Sequence, residues 1–335
     1  MMKRVKGRLG VFFKAAVCIA ACLAVIGGSF AFAEAGDLNY PKRKIEIVVG
    51  FGTGSGTDLT ARGIAKPLEA ILGIPVVVTN IEGSQGIKGM EYVTKQPADG
   101  YTLFITTQTQ LLAQINDLSR VKITEDFDPV CRLVHDVVLI TANAKGRFKN
   151  FQELQAYAKE HPGDVKIGGL TATGVDAVAV RQFCEKSGAE IEYVSFAGGA
   201  EISSALLGGH IDLACSEVAD AIPLIEAGEL IGIAVLAERR LEGAPNIPCS
   251  VELGVDATMG AWRGLSIKKG TDPEIIKYLN EKIVEAMKSE DWQKFLNVSM
   301  LNQRPGFAGY EEFGKLWKSE YETLKADNEE FLANQ

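Results

Sequence analysis

The order of segments constrains this chain most: an apolar run, a turn of glycines and small hydroxyl residues, then a helical pattern, over and over. KIEIVVG (44–50) alternates apolar and charged residues and closes apolar, as a half-buried strand does. GFGTGSGTD breaks it. From 58 to 72, Ile64, Ala65, Leu68, Ile71 and Leu72 recur on one helical face. Pro67 should kink that helix and Gly73 should end it. PVVVTN is a second strand, IEGSQG a second glycine-bearing turn, and 87–96 a second helix. ADGY turns into YTLFITT, a third strand that ends in Thr106, Thr107, Gln108 and Thr109. A βαβαβ order of this kind requires a parallel sheet with helices on its faces.

The pattern then restarts. VCRLVHDVVLITAN (130–143) is long for one strand and reads as a crossing between domains. A helical stretch at 148–161 stops at Pro162-Gly163. VKIGGL, the turn TATGVDA, helix 177–187, IEYVSF, the turn Ala197-Gly198-Gly199, helix 200–207, IDLACSE, helix 219–230 and IGIAVLAE follow. This is a second α/β unit. The end returns with a short strand at 262–267 and a helix opened by Asp272 as cap and Pro273 in its first turn. Ile275, Ile276, Leu279, Ile283, Val284 and Met287 mark its buried face, and a last helix covers 310–332. Two α/β lobes, with a chain that crosses over and returns, place a ligand cleft between them, at the carboxyl ends of strands.

Residues 1–33 stand apart. Lys3, Arg4, Lys6, Arg8 and Lys14 precede an uncharged, mostly apolar stretch, 15–32, and Ala31-Phe32-Ala33 has the small-x-small form of a cleavage site. The segment reads as a signal peptide. A retained membrane anchor and lipoprotein processing at Cys22 are the alternatives; the latter is disfavoured because the residues after Cys22 stay apolar. Export places the mature protein in the periplasm or outside the cytoplasm. Loss of five basic and no acidic residues takes the formal charge from −8 to −13, which suits neither DNA nor RNA as partner. Backbone N–H groups and helix dipoles can still hold an anion locally. Cys131, Cys184, Cys215 and Cys249 remain, with spacings that match no zinc pattern and leave their redox state open.

The first glycine turn raises three possible chemistries. Gly50, Gly52, Gly54 and Gly56 run G-x-G-x-G-x-G, whereas a dinucleotide site needs G-x-G-x-x-G and a P-loop needs Gly-Lys-Ser/Thr. Neither fits, so no nucleotide cofactor is expected. For hydrolysis there are three histidines, of which only His135 has a plausible place in a cleft; Ser55 lies between glycines without the nucleophile-elbow spacing. No paired carboxylates stand out. No catalytic residue, metal or cofactor is therefore expected. Capture remains: turns at 52–58, 83–86, 106–109, 171–176 and 197–200 present N–H groups and hydroxyls, which suit carboxylates held by charge-assisted hydrogen bonds.

From Tyr40-Pro41 to the last helices the chain resembles the Bug-type extracytoplasmic solute receptors of tripartite tricarboxylate transporters. The likeness rests on YPKRKIEIVVGF, GSGTD (54–58), LGIPVVVTN, EGSQGIKG, PADGYTL, DFDPV, LLGGHIDLACSE, IEAGELIGIAVLAERR and WRGL, in that order. It implies a two-lobed α/β fold of the type II, Venus-flytrap kind with a hinge. One lobe would comprise 37–135 plus 258–335, the other 136–257. It also implies a small organic carboxylate as ligand, a membrane permease with large and small subunits as partner, and a monomer. A sensing receptor that feeds a signalling system is the alternative, and a nucleotide-binding α/β enzyme a remoter one.

By the same resemblance, ligand contacts are expected from Gly54, Ser55, Gly56, Thr57, Asp58, Ser84, Gln85, Gly86, Thr107 and Gln108, and from Thr173, Gly174, Ala197, Gly198 and Glu217 in the second lobe. Thr57 and Asp58 are also fit to cap the helix, and for Asp58 capping is favoured, because an ionised Asp would repel a carboxylate. The turn Thr173-Gly174-Val175-Asp176-Ala177 departs from the serines and histidine of many relatives, which leaves the groups at the distal end of the ligand open. Arg263 stands where many relatives have an aromatic residue; it is either a partner for a second carboxylate or a hinge salt bridge.

Overall fold

A computed structural model describes residues 38–170, 172–196 and 198–333. The leader, with its cleavage site and Cys22, and Ala197 of the second-lobe turn lie outside the described residues. In the first half, β1 (Ile45–Val49) leads into α1 (Gly56–Leu72), β2 (Val76–Asn80) into α2 (Ile87–Thr94), and β3 (Thr102–Thr107) into α3 (Gln108–Ile115) and the single turn α4 (Ile123–Asp126). β4 (Phe127–His135) and β5 (Val138–Asn143) follow, then α5 (Phe151–Glu160), β6 (Val165–Gly169), α6 (Val175–Ser187), β7 (Ile191–Ser195), α7 (Gly199–Leu207), β8 (Leu213–Glu217), α8 (Val218–Glu226) and β9 (Leu230–Val235). β10 (Trp262–Lys268), α9 (Pro273–Ala286), α10 (Glu290–Val298) and α11 (Tyr310–Ala333) close the chain.

These strands make two five-stranded sheets, ordered β2-β1-β3-β10-β4 and β7-β6-β8-β5-β9. In the first, β1 runs parallel to β2 and β3, while β10 is antiparallel to β3 and β4. In the second, β6 is parallel to β7 and β8, and β5 is antiparallel to β8 and β9. Each sheet reverses its direction of growth beside its first parallel strand, between β1 and β3 and between β6 and β8. Such switch points open a crevice at the carboxyl ends of the strands. The fold is a two-lobed α/β fold of the periplasmic-binding-protein kind, each lobe built on one sheet.

The long apolar run at 130–143 proves to be parts of two strands. β4 belongs to the first sheet and β5 to the second, and Asp136-Val137 carry the chain between them. β10 brings the chain back into the first sheet, where Arg263 lies opposite Thr107 of β3 and Val134 of β4. α11 packs behind β4 and β10: Trp262, Phe313 and Trp317 are buried, with Trp262 and Phe313 edge to face at 5.1 Å between ring centres. A packed aromatic layer of this sort fixes β10, and with it Arg263.

Local signals behave mostly as the residues suggest. α1 ends at Gly73 in the left-handed conformation, φ 66°, and runs through Pro67. α9 starts with Pro273, capped by Asp272, whose carboxylate accepts from the Glu274 N–H. α5 begins later than its apolar pattern, because Asn150 caps it and Phe148 drops into the core. α3, α4 and α10 are not among the helices that the sequence pattern predicts. α3 is polar at its start, yet it carries a Thr107/Gln110 capping box, the T-x-x-Q signature of a helix N-terminus. Cys131, Cys184, Cys215 and Cys249 are free thiols; burial pushes the thiols of Cys131, Cys184 and Cys215 up, so these three pack rather than react.

Candidate functional site

The first turn is folded by its own polar residues. Ser55 is the N-cap of α1, its hydroxyl accepting from the Asp58 N–H at 3.2 Å. Asp58, read above mainly as the cap, is instead the third helical residue, and its carboxylate reaches back. It accepts from the Gly54 N–H (2.9 Å), Arg62 Nε (3.0 Å) and Asn80 Nδ2 (2.9 Å). Burial alone would raise its pKa, but the hydrogen bonds from Arg62, Gly54 and Asn80 outweigh it and hold the carboxyl below its ordinary range. Asp58 is 1% exposed and is spent on shaping the turn. Gly56 and Thr57 are the first helical residues, so their N–H groups have no intrahelical acceptor within reach.

The second turn abuts the first. Gly83, Ser84, Gln85 and Gly86 all have positive φ, at 131°, 50°, 57° and 88°. Two consecutive non-glycine residues in the left-handed region cost roughly 1–2 kcal/mol each. The Gln110 side chain steadies the turn: its Nε2 donates to the Gln85 carbonyl at 2.9 Å while its Oε1 accepts from the Thr107 N–H at 2.7 Å. Gln85 Nε2 in turn donates to Thr173 Oγ1 of the second lobe at 3.1 Å. Thr107 is the buried N-cap of α3. Gln108, 1% exposed, spends its amide inside the first lobe: it donates to the Gly260 carbonyl (2.5 Å) and Glu320 (2.9 Å) and accepts from the Trp262 N–H (2.8 Å).

The second lobe presents helix starts. Gly174 precedes α6, Gly198 precedes α7 and Glu217 precedes α8 as extended N-cap residues without a capping side-chain bond. Glu217 uses its carboxylate elsewhere: it pairs with the Nη2 of Arg263 on β10. Arg263 is 3% exposed, and its Nη1 lies 3.7 Å from Asp136 Oδ2, in the connection between the sheets. Asp136 is pinned: its N–H donates to the Ala261 carbonyl at 2.7 Å and its Oδ1 accepts from the Val137 N–H at 2.8 Å. Both alternatives for Arg263 thus gain a location. It stands at the connection, salt-bridged, and also where the two lobes meet beside α1. A Cβ on Gly56 would lie 2.7 Å from Arg263 Nη2 and 2.8 Å from Glu217 Oε2, so only glycine leaves the ion pair room against the first residue of α1.

The electrostatics of the seam are lopsided. Burial pulls the Arg263 guanidinium down, but Glu217 and Asp136 more than restore it. Asp136 is pushed up by burial and then by the charge of Glu217, with Arg263 opposing. Asp176 is pushed up to about 6 by burial, against a hydrogen bond from the Leu170 N–H (2.9 Å), with Glu217 and Asp220 adding repulsion. Asp220 shifts upward for the same reasons, burial first and Glu217 next. Asp136, Asp176, Asp220 and Gln110 were not among the residues expected from sequence. The Thr107-x-x-Gln110 box could have pointed to Gln110; nothing local points to Asp136, whose partner is on a distant strand.

His135 ends β4, and burial, then Arg304 and Arg132, lower its pKa to about 3, which keeps the ring neutral at any physiological pH. Two surface hollows of about 560 and 500 Å³ are lined wholly by second-lobe residues, one around Phe196 and His210, the other around Cys184 and Glu190, and neither includes Arg263 or Glu217.

Two α/β lobes joined by crossing strands, with anion-ready turns of the first meeting helix starts of the second, define a two-lobed solute-binding protein. The family model described as the tripartite tricarboxylate transporter family receptor matches residues 60–305, and the chain belongs to that family. The Protein BugT of Bordetella pertussis is 34% identical over 75% of this chain and 78% of its own. A TctC solute-binding protein from Polaromonas superposes with a TM-score of 0.73 at 28% identity, covering 87% of this chain and 99% of that one. The R. palustris protein Rpa4515, solved with adipate, superposes with a TM-score of 0.77 at 25% identity, covering 87% and 98%. The family is one of receptors rather than enzymes. Among the described residues no helix is long and apolar enough to cross a membrane.

Proposed function

We propose that this receptor captures a small organic carboxylate between its lobes, outside the cytoplasm, and hands it to the membrane subunits of a tripartite tricarboxylate transporter. The observation that carries the reading is the buried guanidinium of Arg263 against the N-terminus of α1, at the point where both lobes meet. A guanidinium and the free N–H groups of a helix start both favour an anion, and a carboxylate matches the planar fork of Arg. The turns at 54–57 and 84–86 supply first-lobe donors. Thr107 and Gln108 act behind them as braces, and Thr173, Gly174, Gly198 and Glu217 supply the opposite wall. The bodies that move are 37–135 with 258–335, and 136–257, hinged at the Asp136 connection and at the return into β10.

Adipate, present in the R. palustris relative, is the first probe, followed by citrate, other di- and tricarboxylates, acidic amino acids and aromatic acids. A ligand at a hundred times its Kd stabilises by about 2.7 kcal/mol, which a thermal-shift screen resolves. Selective stabilisation by one carboxylate class is expected. A shift with NAD or a nucleotide, and none with any carboxylate, refutes the reading.

A further inference from the structure

Arg263 already has two carboxylates, and they differ in kind. Asp136 is 3% exposed and tied by its own backbone and by the Val137 N–H. Glu217 is 31% exposed, extends from the second lobe, and is held at its tip by Arg263 of the first. Its Oε2 lies within 2.8 Å of where a Cβ of Gly56 would stand. An external carboxylate that is to reach Arg263 and the start of α1 must therefore enter the volume that Glu217 fills, and two carboxylates at that spacing repel strongly.

We propose that Glu217 is a built-in substitute for the ligand carboxylate: it latches the lobes together through Arg263, and a ligand binds by displacing it. The proposal rests on the carboxylate-capture reading above. The latch is suited to release. Asp136 and Asp220 carry charge that repels Glu217, whereas among the described residues its carboxylate is paired with Arg263. Gln85 to Thr173, Gln182 to Asp327, the Gly243 N–H to Gln303 and, at 3.7 Å, Arg304 to Glu238 also bridge the lobes, but these contacts are exposed or only part-buried, and so weaker. Displacement also sets specificity. A ligand has to bring a full negative charge to this end, since a neutral group could not replace Glu217 on a buried guanidinium without leaving that cation under-compensated.

The test uses the mature receptor with Glu217→Gln, and Asp220→Asn as a control that removes a neighbouring charge without touching Arg263. Small-angle X-ray scattering of the protein without added ligand should give a larger radius of gyration for Glu217→Gln than for wild type, and no change for Asp220→Asn. Calorimetric titration with adipate should show Glu217→Gln binding at least about tenfold tighter, as expected when a competing state populated about 90% of the time is removed. An unchanged radius overturns the latch whatever the ligand proves to be. Unchanged or weaker adipate binding by Glu217→Gln overturns the displacement. If the radius grows but no carboxylate binds any variant, the latch stands and the carboxylate reading falls. Circular-dichroism melts of both variants separate these outcomes from misfolding.

Discussion

A Cβ on Gly50 would stand 2.5 Å from the Cα of Gly86 and 3.1 Å from its carbonyl oxygen. The first and second turns of the first lobe therefore touch backbone to backbone, and the anion-facing groups of one are positioned by the other. Gly50→Ala cannot be relieved by a side-chain rotation. It should destabilise the protein by about 1–3 kcal/mol, the usual cost of overpacking, and push the turns apart. Urea unfolding measures the first effect. A stability equal to wild type would show that the turns can separate freely.

Arg263 and Asp136 form the other fixed contact, and its energetics follow from burial. Arg263→Ala strands Asp136 as a buried carboxylate beside Glu217. A loss of about 3–5 kcal/mol is expected for breaking such a pair from one side. Asp136→Asn keeps the acceptor for the Val137 N–H and removes the stranded charge, so the double variant should recover a large part of that loss. A double-mutant cycle by chemical denaturation reads the coupling. Strictly additive effects would mean that Arg263 and Asp136 do not sense each other.

What the sequence makes legible is local. The strand at 44–50, the stop at Gly73 and the Asp272-Pro273 start depend on neighbours within a turn or two, and the structure has each of them. The crossing at 130–143 shows as excess length but not as two strands, since its apolar pattern is the same in either sheet. Gln108 illustrates the limit at the site. Its place after a strand suggests a ligand contact, yet its amide is consumed by Gly260, Trp262 and Glu320, all far along the chain. Asp136 is invisible for the same reason: a charge becomes significant only when β10 returns Arg263 to it.

Asp58 bears on the first turn alone. Asp58→Ala removes the buried acceptor of the Gly54 N–H and one acceptor each of Asn80 and Arg62, which keep the Phe51 carbonyl and Asn80 Oδ1 respectively. A loss of about 2–3 kcal/mol is expected, with weakened capture of any carboxylate, because the turn loses its shape. Asp58→Asn restores part of the hydrogen bonding and should fall between the two. Melting temperatures of the three proteins at neutral pH check the order, and a melting point for Asp58→Ala equal to wild type would contradict it.

Asp176 and Asp58 should give the protein opposite responses to pH. The pKa of Asp58 is depressed in the fold, so its contribution is present above the ordinary carboxylate range and is lost as pH falls through the lower folded value. That of Asp176 is raised to about 6, so the folded state binds its proton more readily than the unfolded chain does. Its contribution is fully present below pH about 4 and is lost as pH rises to about 6. Asp176→Asn keeps an acceptor for the Leu170 N–H and abolishes the titration. At pH 7.5 it should therefore be more stable than wild type by about 1–2 kcal/mol, less than the full shift implies because Asp176 is partly exposed. The advantage should shrink as the pH is lowered from about 6 to 4. Differential scanning calorimetry across pH 4–8 follows both proteins, and parallel curves would show that Asp176 titrates normally.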